Sequence, residues 1–209
     1  MKKIICLLLI LVVIPACIYF AIDRESIDIE EFRLNSGYQE VNLSNGITTY
    51  KDIGDKSNKG IVLVHGATFG SLAYEEYINV FVENEYRVIT YDQYGRGYSD
   101  RVHVDVSIEL MEKQLKELIK HCEVEDVILY GVSFGAAVVA KYAANNPENI
   151  SFIGYQVPLI NSANIPLLSI VKVPFYGDLL TRGFLVPGVL KRIDCLLYTS
   201  DAADDMQCV

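Results

Sequence analysis

Histidine is scarce in this 209-residue chain: His65, His103 and His121 are the only three, and none follows residue 121. No cluster of histidine, cysteine and carboxylate shows metal-ligand spacing, so the sequence offers no metal site. Cysteine is thin as well. Of five, Cys6 and Cys17 fall in an apolar N-terminal run and Cys195 and Cys208 in the last fifteen residues. Cys122 is left alone in the central part, which therefore has no internal disulfide and must rely on core packing. It continues the apolar spacing of Ile108, Met111, Leu115, Leu118 and Ile119, and reads as a small core residue rather than a nucleophile. Basic charge is also short. Eighteen Lys and Arg against 27 Asp and Glu give a net charge of −9, which argues against nucleic acid, whose backbone needs a basic surface. The absence of Gly-Lys-Ser or Gly-Lys-Thr excludes a phosphate-binding loop of that kind.

What is present begins with an apolar segment. Lys2 and Lys3 precede Ile4 to Ile22, nineteen residues without a charge, closed by Asp23-Arg24-Glu25. At helical rise such a run nearly matches a ~30 Å hydrocarbon core, and the two lysines favour a cytoplasmic N-terminus. The expectation is a transmembrane anchor or signal segment over residues 1–22, with the remainder membrane-anchored outside the cytoplasm or exported. A cleaved signal peptide and a lipoprotein signal acylated at Cys17 compete with the uncleaved anchor, although Pro15 fits the last poorly. Residues 23–37 are charged and read as a linker. Alternation from Tyr38 to Leu43, then Asn45-Gly46, predicts a β-hairpin into Ile47–Ile53. Strand-like runs at 61–64, 86–92, 126–130 and 151–157 then alternate with helical spacings such as Tyr74, Tyr77, Ile78, Phe81 and Val82. That alternation predicts an α/β fold: a mainly parallel sheet with right-handed crossovers and helices on both faces.

Three of these strands end in motifs. Val127 to Tyr130 leads into Gly131-x-Ser133-x-Gly135, with a small-residue helix pattern directly behind it, which is the layout of a nucleophile elbow. Any Cβ at the flanking glycines would collide with the neighbouring strand or helix. Ile61 to Val64 ends in His65-Gly66-Ala67, and Tyr86 to Asp92 is followed by Gln93-Tyr94-Gly95-Arg96-Gly97-Tyr98-Ser99. A single Gly-x-Ser-x-Gly is often only a turn. Three motifs in this order, each on a strand end, closely resemble the α/β-hydrolase family over about Tyr38 to Ile193. Gly95-x-Gly97 alone is like a dinucleotide fingerprint, but the third glycine position holds Asp100.

The resemblance implies a serine hydrolase in which Ser133 attacks an acyl carbon. It also implies that the backbone N–H groups of Phe134 and Ala67 form the oxyanion hole, and that His65 and Gly66 hold that loop. Asp92, Gly95, Arg96 and Gly97 brace the site from the side, and Gly131 and Gly135 permit the elbow. The implied substrate is a small-molecule ester, no cofactor is needed, and the N-terminal segment supplies a membrane contact. Peptidase and carbon–carbon bond hydrolase chemistry share the elbow, and a non-catalytic binding module on the same scaffold is the alternative from another class. In this fold an acid and then a histidine follow the serine; here no histidine does, so the expectation is a hydrolase fragment that is inactive as it stands. Residues 38–157 read as the core, 158–194 as part of an apolar lid punctuated by prolines, and 195–209 as a tail resembling translated sequencing adapter.

Overall fold

The computed structural model describes residues 12–21 and 29–156. The proposed lid over 158–194 and the tail over 195–209 lie outside these residues. One compact unit is formed by Ile27–Ser162, and the helix α1, Ile14–Ala21, belongs to a separate one.

The expectation of a transmembrane anchor is overturned. Among the described residues no helix is long and apolar enough to cross a membrane. The 8 residues of α1 rise about 12 Å at 1.5 Å each, well under half of a ~30 Å hydrocarbon core. The membrane contact inferred from that anchor has no support among the described residues.

In the main unit, α2 (Ile29–Asn35) lies within the stretch expected to be a linker. Its Arg33, 5% exposed, donates to Asp100 Oδ1 at 2.6 Å and to Tyr98 O at 2.6 Å. Six strands follow: β1 (Gln39–Leu43), β2 (Gly46–Ile53), β3 (Lys59–Val64), β4 (Tyr86–Tyr91), β5 (Val127–Val132) and β6 (Ile150–Gln156). They form one sheet in the order β1-β2-β4-β3-β5-β6. The β1–β2 hairpin and the β2–β4 pair are antiparallel, while β4, β3, β5 and β6 run parallel. The helices α3 (Glu75–Glu83), α4 (Ile108–His121) and α5 (Phe134–Asn145) are the crossovers.

Side-chain alternation along the strands divides the sheet into two faces. On one, Val62, Val64, Ile89, Tyr91, Val127 and Leu129 pack with Met111, Leu115, Leu118, Val138 and Val139 of α4 and α5. On the other, Ile61, Leu63 and Val88 pack with Tyr74 and Ile78, beside Ile128, Tyr130 and Val132. Ser107 caps α4, its Oγ accepting from Leu110 N–H at 3.2 Å. Cys122 closes α4 in the first cluster, and burial pushes its thiol up to about 12. The buried Arg87 grips both carboxylate oxygens of Asp52 and the carbonyl of Cys122, locking the lower ends of β2 and β4 to the end of α4.

Candidate active site

Strand β5 ends at Val132 and α5 begins at Phe134, leaving Ser133 alone at the corner with φ 52° and ψ −114°. A non-glycine residue in that region costs about 1–3 kcal/mol and persists only where its surroundings hold it. Here the Ser133 N–H donates to Gln156 O at 2.9 Å, and Ser133 O accepts from Ala136 N–H at 3.1 Å. The flanking glycines are sterically required. A Cβ on Gly131 would lie 2.6 Å from Gly135 O and 2.7 Å from Ala136 Cα, and one on Gly135 would overlap Val64 O and sit 2.5 Å from His65 O. The corner is thus wedged against the end of β3, and the Ser133 side chain is left half-buried at the sheet's edge.

The end of β3 supplies the adjoining loop. His65 is 1% exposed; its Nε2 accepts from Gln93 N–H at 2.9 Å, so the proton sits on Nδ1, which donates to Gly66 O at 2.6 Å. Burial pushes its pKa down, opposed by the Gly66 bond and the nearby Asp92. A neutral imidazole with both nitrogens engaged is a strut for the loop rather than a proton carrier. A Cβ added to Gly66 would lie 3.4 Å from Ser133 Cβ and 4.0 Å from its Oγ, so the His-Gly backbone runs directly alongside the serine. Ala67, next in the chain, is exposed at the same opening.

Asp92 and Arg96 hold that loop from the side. The Asp92 carboxylate, 1% exposed, accepts from Ser71 N–H (2.7 Å) and Oγ (2.8 Å), Tyr98 N–H (2.9 Å) and Thr49 Oγ1 (3.2 Å). One buried side chain thereby ties β2, the turn before α3 and the Gly-rich loop together. Gly97, at φ 48°, packs so close to that carboxylate that any side chain would displace it, whereas Gly95, at φ 76°, faces open space and serves the turn alone. Arg96 Nε donates to Ala67 O at 2.8 Å, its Nη1 to Tyr94 O at 3.1 Å, and its guanidinium lies 5.6 Å from the Phe134 ring centroid. Burial lowers its pKa. Arg96 therefore touches both Ala67 and Phe134.

Ser133 opens into a cavity of about 590 Å³. Its floor is the α3-side sheet face, Leu63, Tyr130 and Val132; one wall is Ala73, Tyr74, Tyr77 and Phe81; its rim is His65 to Phe69, and Gln156 lines it beside Ser133. Tyr74 spends its hydroxyl on Val64 O at 3.1 Å, so it presents only its ring. The described lining carries no aspartate, glutamate, lysine or arginine. Sequence reasoning missed Tyr130 and Gln156, which stand where ordinary strand residues were expected. The other two histidines lie elsewhere: His103 is exposed, and His121 pairs with Tyr50 Oη at 3.0 Å. Among the described residues no group of three His, Cys, Asp or Glu side chains is placed to hold a metal ion.

This geometry has relatives. Over 155 residues the chain is 25% identical to a non-heme haloperoxidase of Rhodococcus erythropolis, a match covering 61% of this chain and 56% of that one. A bromoperoxidase from Bacillus anthracis superposes with a TM-score of 0.54 at 27% identity, covering 62% of this chain and 48% of that one. An esterase from Exiguobacterium antarcticum gives 0.55 at 24% identity, covering 58% and 46%, a likeness of fold. The chain spans about half the length of these relatives. Residues 55–175, more than half of the chain, match the family described as serine aminopeptidase, S33. With the sheet order, the strained corner and the His-Gly loop, that match identifies the chain as a member of the serine aminopeptidase family of α/β hydrolases.

Proposed function

We propose that Ser133 is the nucleophile of a serine hydrolase acting on carboxylic esters. Its Oγ attacks the acyl carbon, and the oxyanion that forms accepts hydrogen bonds from the Phe134 and Ala67 N–H groups. The alcohol departs with a proton, leaving an acyl-enzyme that water hydrolyses to the free acid and serine. What carries this reading is the position of Ser133: a hydroxyl at a strained corner, beside the His-Gly backbone, at the mouth of an apolar cavity. A lining without formal charge among the described residues suits a neutral acyl group better than a charged peptide terminus. In this reading the base that accepts the serine proton is none of the three histidines His65, His103 and His121, since both His65 nitrogens are engaged and the other two do not line the cavity.

The test uses the longest reading frame containing this sequence, treated with a fluorophosphonate probe. Labelling that disappears in Ser133→Ala, together with p-nitrophenyl ester turnover, is the expected result. A folded full-length protein that takes no label is instead a binding module on the hydrolase scaffold.

A further inference from the structure

Tyr130 is the only tyrosine of the cavity floor among the described residues, and the sheet makes specific room for it. It pairs in register with Gly154 of the adjacent parallel strand β6. A Cβ on Gly154 would lie 2.7 Å from Tyr130 Cδ2 and 3.4 Å from Cε2, so the ring occupies the space a side chain at 154 would fill. Lying across β6 in this way, Tyr130 donates its hydroxyl to Gln156 Oε1 at 2.5 Å. Gln156 is two residues beyond Gly154 and therefore on the same face. Its own carbonyl accepts the Ser133 N–H at 2.9 Å, which fixes its backbone against the elbow. The Tyr130–Gln156 bond is exposed to solvent and contributes little to folding, because water competes for both groups. Its effect is on orientation. An amide whose oxygen is held by a phenol turns its NH2, with two donors, away from that phenol.

We propose that Tyr130 and Gln156 form a specificity pair: Gln156 donates to a second acceptor oxygen on the substrate, separate from the scissile carbonyl, and Tyr130 sets the amide's orientation. The substrate class is then a neutral, largely apolar ester carrying an ether, hydroxyl or keto oxygen near the reacting group. Gln156 stands beside Ser133, with Tyr130 on the floor, in a mostly apolar pocket, and a purely hydrocarbon ligand that covers the amide strips its water without replacing the lost bond. This rests on reading the cavity as the substrate site, but its test needs no turnover, so the two proposals fail separately.

The probes are two matched pairs of unreactive amides in which one oxygen replaces one methylene. One pair is N-benzyl methoxyacetamide and N-benzylbutyramide; the other is N-(2-methoxyethyl)phenylacetamide and N-butylphenylacetamide. Affinities for the full chain are read by ligand-observed NMR. The oxygen-bearing member of at least one pair should bind about five- to tenfold more tightly. That preference should vanish in Gln156→Leu and shrink in Tyr130→Phe and in Gly154→Ala, which pushes the ring aside, with far-UV circular dichroism confirming each fold. Equal affinity within both pairs, no binding of any probe at millimolar concentration, or a preference that survives Gln156→Leu overturns the proposal. Loss of the fluorophosphonate label with the oxygen preference intact would instead sink only the nucleophile assignment.

Discussion

Replacing Asp92 tests how much of the site's stability runs through one buried carboxylate. In Asp92→Ala the two hydroxyl donors find substitutes: Thr49 Oγ1 stands 3.3 Å from Ser99 Oγ, and Ser71 Oγ is 2.9 Å from Tyr38 Oη. The Ser71 and Tyr98 N–H groups both lose the Asp92 carboxylate as acceptor, and each such lost bond costs about 1–3 kcal/mol. The expected loss is therefore roughly 2–6 kcal/mol, before any gain from no longer burying a charge. Asp92→Asn keeps the oxygen facing Ser71 but points an NH2 at the Tyr98 N–H, so about one bond is lost and the cost falls near 1–3 kcal/mol. Urea unfolding followed by far-UV circular dichroism measures both, which suits a chain with no tryptophan. The reasoning is refuted if Asp92→Ala lies within 1 kcal/mol of the parent, or if the asparagine variant is the less stable of the two.

His65 gives a pH signature. Its folded pKa is depressed by burial, so below about 6.5 the unfolded chain binds a proton that the folded one does not, and stability falls as pH drops through that value by up to about 1.4 kcal/mol per unit. The effect is fully absent above the unfolded pKa; urea midpoints at pH 7.5 and 5.5 should diverge more in the parent than in His65→Gln, and equal divergence would count against the neutral buried imidazole. Cys122, buried and pushed up to about 12, should resist iodoacetamide at neutral pH until the chain is unfolded; stoichiometric labelling of the folded unit at that position would contradict its place in the core. Under the proposed function, Arg96→Ala frees the Ala67 carbonyl and the Phe134 ring at once and should slow fluorophosphonate labelling of Ser133 about tenfold, with partial recovery in Arg96→Lys. An unchanged rate would make Arg96 a bystander.

The parts of the fold legible in the sequence were those encoded locally. Ile61 to Val64 is apolar throughout, and β-branched at all but Leu63, because β3 is central and covered on both faces. Asn45-Gly46 announced the hairpin through turn chemistry, and Gly131 and Gly135 announced a corner that tolerates no side chain. What stayed hidden depends on distant partners. Helix α2 is seven residues long and has its anchor, the Arg33–Asp100 pair, 67 residues away, so nothing local distinguishes it from a charged linker. Tyr130 and Gln156 meet only because Gly154 leaves a gap between them, a fact of strand register rather than of any motif. In the opposite direction, the apolar run at the N-terminus suggested a span because hydropathy reports composition, whereas crossing a bilayer requires a continuous helical length that no helix among the described residues reaches.

The strict alternation of β5 gives its neighbouring positions different evolutionary freedom. Val127 and Leu129 are sealed beneath α4 and α5, so any change there is felt by the whole fold; Tyr130 and Val132, one step along, look into the chamber beside the serine. New ligand preferences can thus be explored on every second residue of a single strand while the intervening residues keep the scaffold standing.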